Sequence, residues 1–148
     1  MVIGTAFKSC SSEKKKINGR DKDGNGGGMN VWALNVENTG NPCTVLVIDC
    51  DFIDCTTQNK GGGLRSTAKT TRVYNSRFTN VRANNIGGGV CITNNQSGVT
   101  AEITGCTISN GRSLTENGGG VYCKAGSLNV GGYTGEIENT LRGELETL

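Results

Sequence analysis

The sequence predicts an all-β fold in which short parallel strands stack as a repeat, and three observations predict it. Gly-Gly-Gly occurs at 26–28, 61–63, 87–89 and 118–120, and each time a bulky apolar residue follows: Met29, Leu64, Val90 and Val121. A second alignment, anchored on Phe7, Phe52, Phe78 and Ile108, holds at several offsets without adjustment. Five residues before the anchors stand Val2, Val47, Val73 and Ile103; three before stand Gly4, Asp49, Asn75 and Gly105; two after stand Ser9, Asp54, Asn80 and Asn110. After the glycine triplets, alternate positions are mainly apolar (Met29, Val31 and Ala33; Val90 and Ile92), which is the two-residue period of a strand and not the helical period of about 3.6.

Each element follows from this pattern. Successive anchors are 45, 26 and 30 residues apart, so length varies only in loops. A unit of this size has room for two or three strands of about 3–6 residues, too little for a propeller blade of roughly 40–45 residues. A coil of parallel strands remains, in which identical positions of successive turns lie about 4.8 Å apart. The apolar columns Val2, Val47, Val73, Ile103 and Phe7, Phe52, Phe78, Ile108 then become interior ladders. Gly4, Asp49, Asn75 and Gly105 mark a corner that needs tight or left-handed backbone, and the glycine triplets mark another. We expect about four turns over residues 1–135, with the pattern fading after Leu128–Val130. In residues 136–148, Ile137, Leu141, Leu145 and Leu148 recur at helical spacing among glutamates, which predicts a short amphipathic helix that could cap the stack, the alternative being that the chain continues or docks on a partner there.

The blocks Phe7-Lys-Ser-Cys10, Phe52-Ile-Asp-Cys55 and Arg77-Phe-Thr-Asn80, each followed by a glycine triplet and Met, Leu or Val, resemble the paired Phe-x-x-Asn and Gly-Gly-Ala-Ile repeats of polymorphic outer membrane proteins. More broadly they resemble right-handed parallel β-helix domains of the pectin-lyase-like class. The resemblance implies a right-handed parallel β-helix (solenoid). It says less about function, because one fold serves adhesins, polysaccharide-degrading enzymes and passive fibres.

Composition is that of a glycine-rich β-protein: 24 glycines in 148 residues, one proline, and a net charge of +2 that implies no strong electrostatic partner. No segment has the form of a signal peptide or is apolar enough to span a membrane. The expected location is extracellular or at a cell surface.

Seven cysteines, an odd number, cannot all pair within one chain. Cys10 and Cys55 share a column in adjacent turns, at a spacing compatible with a disulfide, whereas Cys50 and Cys106 share a column two turns apart. Most of the thiols read as small ladder residues. With no histidine and no CxxC pair, a zinc site is not expected, and the absence of histidine excludes histidine-dependent nucleophiles. The remaining catalytic candidates are Asp49, Asp51 and Asp54, crowded on one turn. Asp49 and Asp54 fall in corner columns, and Asp51 lies level with Arg77, as Glu102 does with Arg72, so structural roles compete.

Asp21-Lys-Asp23-Gly-Asn25-Gly26 matches the first six positions of a calcium loop, but Trp32 stands where the bidentate acid belongs. Asp21, Asp23 and Asn25 are thus calcium candidates, with a solvated turn as the alternative. Lys14, Lys15, Lys16, Arg20 and Lys22 lack interleaved aromatics and read as an exposed loop, not a nucleic-acid patch. This insertion, residues 11–25, is a natural place for a grafted binding function. Ile48 and Ile53, with Trp32 and Leu34 nearby, add a small outward apolar area. Asn95 heads a glycosylation sequon.

The expected function is that of a structural or adhesive module of a cell-surface or filament-forming protein, with partners in its own copies, neighbouring β-helix modules and surface glycans. The alternatives are a carbohydrate-active β-helix enzyme (polysaccharide lyase or hydrolase) and an intracellular scaffold. No cofactor beyond calcium is expected.

Overall fold

The computed structural model describes residues 1–17, 20–33, 43–94, 98–124, 127–131 and 134–135. All regular structure among them is β. Each complete repeat unit contributes one strand to each of four parallel sheets, always in the same chain order. The first sheet stacks Val2–Ile3, Thr44–Ile48, Thr70–Tyr74, Thr100–Thr104 and Ser127–Gly131. The second stacks Ala6–Lys8, Asp51–Ile53, Arg77–Thr79, Thr107–Ser109 and Thr134–Gly135. The third holds Ser11–Ser12, Thr56–Thr57, Arg82–Ala83 and Arg112–Ser113, and the fourth Met29–Val31, Leu64–Ser66, Val90–Thr93 and Val121–Lys124.

The register reproduces the columns of the sequence. Val2, Val47, Val73 and Ile103 are successive direct partners, and Val130 extends the series. Phe7, Phe52, Phe78 and Ile108 are partners in the second sheet. The phenylalanine rings stack at 4.7 and 4.6 Å between centroids, the strand spacing itself. Inward side chains from the first, second and fourth sheets merge into one apolar core, in which Val47, Phe52, Leu64, Val73, Phe78 and Ile103 are fully buried. Burying each of these side chains contributes roughly 1.5–3 kcal/mol. The buried hydroxyls of Ser66 and Thr71 lie 2.8 Å apart and satisfy each other.

Left-handed backbone occurs at both expected corners, the Gly4 column and the glycine triplets (φ of 64° to 75° at Gly26, Gly61, Gly87 and Gly118), and at one more. Gly4, Asp49, Asn75 and Gly105 have φ of 59°, 52°, 47° and 64°, and the column Ser9, Asp54, Asn80, Asn110 has φ of 50° to 54°. Asp and Asn are among the few side chains that tolerate this region, which explains their recurrence there. The third glycine of each triplet is required for another reason. A Cβ on Gly28 would stand 2.7 Å from the ring of Phe52, one on Gly63 would stand 2.6 Å from Phe78, and one on Gly89 would stand 3.2 Å from Ile108. The two repeated motifs of the sequence therefore meet in space, the first three triplets each packing on the anchor of the next unit.

Three expectations are corrected. A unit has four strands, not two or three, because the third-sheet strands are only two residues long and too short to show a period. The pattern does not fade at residue 130, since Ser127–Gly131 and Thr134–Gly135 still pair in register as the start of a further unit. The insertion at 11–25 is not an open loop: Ser11–Ser12 joins the third sheet, and Lys15–Ile17 pairs antiparallel with Arg20–Lys22. The capping helix expected at 136–148 lies outside the described residues, as do Leu34 and the sequon residue Asn95.

Candidate functional site

The three acidic candidates of the second unit share a turn but not a task. Asp51 projects from the second sheet, where Arg77 of the next unit donates from Nε and Nη2 at 2.7 and 2.8 Å. Those hydrogen bonds hold the Asp51 carboxyl below its usual range. Asp54, at a left-handed corner, accepts from Nδ2 of Asn80 at 3.0 Å. Asp49 sits at the preceding left-handed corner and is exposed. The matching pair Arg72 and Glu102 lies at 3.6 Å, and the Tyr74 hydroxyl donates to Glu102 at 2.7 Å, which raises the tyrosine pKa.

Asp54 ends a longer chain of hydrogen bonds. Arg112 Nε donates to Asn110 Oδ1 at 2.8 Å, Asn110 Nδ2 to Asn80 Oδ1 at 2.8 Å, and Asn80 Nδ2 to Asp54. Every amide points the same way, from a cation in the fourth unit to a carboxylate in the second. Aligned amide dipoles of this kind strengthen one another, so the acid's evident role is to terminate the ladder.

The calcium candidates are placed unlike one another. Asp21 stands on a hairpin strand opposite Lys16, and Asp23 is exposed. Asn25 is 93 % buried (7 % exposed), and its Oδ1 has no hydrogen-bond partner among the described residues. The backbone of the next residue, Gly26, donates to the Lys60 carbonyl of the following unit at 2.8 Å.

All seven cysteines are free thiols. Cys10 and Cys55 occupy adjacent positions of one column, as Thr56 N donating to Cys10 O at 2.9 Å shows, and they stand as two thiols rather than a bridge. Three of the buried cysteines share one structural role. Cys50 donates to the carbonyls of Ile48 and Val2, Cys55 to those of Ile53 and Phe7, and Cys106 to those of Thr104 and Val73. Ser76, between Cys50 and Cys106 in the column, donates in the same way to Tyr74 O at 2.9 Å. A small donor satisfies the corner carbonyls at these positions. Burial pushes the Cys91 thiol up to about 12 and Cys123 up to about 11, so neither is a nucleophile near neutral pH.

Ile48 and Ile53 are half-buried among their column neighbours, and Trp32 is 70 % exposed with the Arg65 guanidinium 5.9 Å from its ring centre. The feature that sequence reasoning missed is a groove of about 310 Å³ on the outer face of the third sheet, between Ser11, Thr56 and Arg82 on one side and Glu13, Gln58 and Asn84 on the other. The alternating polar residues in 11–13, 56–58 and 82–84 could have indicated it, but strands this short are not apparent before their register is known. Comparison with known proteins finds no matching family model, no similar curated protein and no similar solved structure.

Proposed function

We propose that the four parallel sheets close into a right-handed parallel β-helix and that this chain is a structural or adhesive module of a cell-surface or extracellular assembly, extended through its ends and making contacts through its outer faces. One observation carries the reading: the columns stack in register from unit to unit, and the described first-unit strands present an apolar edge. Among the described residues, the first-unit strands Val2–Ile3, Ala6–Lys8, Ser11–Ser12 and Met29–Val31 pair on one side only. Phe7 is half-buried, whereas Phe52 and Phe78, which continue its stack, are fully buried. Unpaired strand edges over exposed apolar side chains favour addition of further strands, and a repeat unit is the natural complement. A non-enzymatic role is supported by the engagement of Asp51 and Asp54 in the ladders.

Light scattering and negative-stain electron microscopy of the 148-residue chain test the reading. End-to-end oligomers that grow with concentration, and that Phe7→Asp abolishes, are the expected result. A monomer at all concentrations, or oligomers indifferent to Phe7→Asp, would overturn it.

A further inference from the structure

The third sheet carries its outward residues in two columns. Ser11, Thr56, Arg82 and Arg112 are direct partners in register. Gln58, Asn84 and Leu114 follow one another two positions on, each amide bonded to the carbonyl of the inward residue one unit back. The groove between the columns has no aromatic or aliphatic wall among its lining residues. Its side chains also have free hydrogen-bonding capacity. Among the described residues the Gln58 side chain makes one hydrogen bond, its Oε1 accepting from Lys14 N at 2.9 Å, and Ser11 and Thr56 are exposed.

Charge on this face is treated unlike charge elsewhere. On the first and second sheets, Arg72 and Arg77 each meet an acid one unit away. On the third sheet Arg82 meets Arg112, with Cα atoms about 4.8 Å apart, and like charges directly opposite are destabilising. Arg112 is turned to Asn110. Arg82 is exposed, and its guanidinium has no hydrogen-bond or ion-pair partner among the described residues. A guanidinium fork beside a cluster of hydroxyl and amide groups matches an anionic group carried on a polyhydroxylated body.

We propose that this groove binds an anionic oligosaccharide, with Arg82 taking a carboxylate or sulfate group and Ser11, Thr56, Gln58 and Asn84 meeting the ring hydroxyls. The volume lies at the lower end of the range for ligand sites, about 300–1,000 Å³, and suits a short segment of a sugar chain. Nucleic acid fits less well, because no lining residue offers a ring for bases to stack on. The proposal deepens the adhesive half of the function proposed above.

Calorimetric titration of the full chain separates the possibilities, using a uronic-acid tetrasaccharide, a sulfated oligosaccharide, a neutral oligosaccharide of the same length and a single-stranded oligonucleotide. At least one of the two acidic sugars binds, the one that does naming the anionic group, and the neutral chain and the oligonucleotide bind at least about tenfold more weakly. Arg82→Gln lowers affinity at least about tenfold and Arg82→Lys less, as loss of a charge-assisted fork requires. Circular dichroism verifies that the variants are folded, which an exposed strand position favours. Binding unchanged in Arg82→Gln, equal binding of the neutral chain or the oligonucleotide, or no binding of either acidic sugar would overturn the proposal. Assembly of the Arg82→Gln variant, followed by light scattering, distinguishes failure of the groove from failure of the structural reading.

Discussion

Gly63 and Phe78 belong to different repeated motifs, yet the identity of each depends on the other. A methyl group on Gly63 would meet the Phe78 ring at 2.6 Å and the Gly89 carbonyl at 2.8 Å, so the glycine is the space the ring occupies. Gly63→Ala is expected to cost about 1–3 kcal/mol by overpacking, and Phe78→Ala about 3–5 kcal/mol by cavity formation. The double variant is expected to cost less than the sum, because the shortened side chain opens room for the methyl while the Gly89 carbonyl still resists it. Urea denaturation of the four proteins closes the cycle, and strict additivity would refute the coupling. Gly4→Ala is the control. Its Cβ would face open space, leaving only the left-handed strain of about 1–2 kcal/mol. Both motifs were legible in the sequence; that the first three triplets pack on the anchor of the following unit was not, because the contact joins residues 15 to 24 positions apart through a register the sequence does not state.

The antiparallel hairpin is an element added to the repeat rather than part of it. Lys15–Ile17 and Arg20–Lys22 pair with each other, while Ser12 and Gly24, on either side, belong to unit contacts: the Ser12 carbonyl accepts from Gln58 and the Gly24 carbonyl from Thr57. Replacing residues 15–22 by a short Gly-Ser link is therefore expected to keep the β circular-dichroism signal and to change stability by less than about 1 kcal/mol, since closure entropy varies slowly with loop length. Loss of cooperative unfolding in that variant would show that the hairpin supports the first unit. Its signal was present in the sequence: Asn18-Gly19 separates the two strands, and Asn-Gly is a favoured pair for two-residue hairpin loops. The lysine run masked it, because a polar strand pair shows no apolar alternation. The groove was hidden for a similar reason, its walls being two-residue strands without a period of their own.

At the scale of the whole molecule, stability is a sum over stacked units and their interfaces, so position in the stack matters as much as residue type. Val47, Phe52, Val73 and Phe78 are fully buried between neighbours, whereas Val2 and Phe7 are half-buried at the edge. Native-state hydrogen exchange is expected to be slowest in Thr70–Tyr74 and Arg77–Thr79, and fastest among the parallel strands in Val2–Ile3 and Ala6–Lys8. At concentrations where the chain assembles end to end, the first-unit amides are expected to slow toward the central values. Uniform protection at high dilution would mean that the units unfold as one body and that the edge is not a weak point.

The sequence by itself determined the periodicity, the apolar columns, the left-handed corners and the pairing of Asp51 with Arg77 and Arg72 with Glu102. These follow from local chemistry repeated at matching offsets, and parallel stacking converts equal offset into contact. The tertiary structure alone decided how many strands each unit holds, which glycine faces which ring, that three of the buried cysteines serve corner carbonyls, and that Arg82 stands beside Arg112 over a polar groove with no acid paired to it. Those features depend on which unit lies next to which and on the short segments between columns, where neighbouring residues are brought together by the fold and not by any period in the chain.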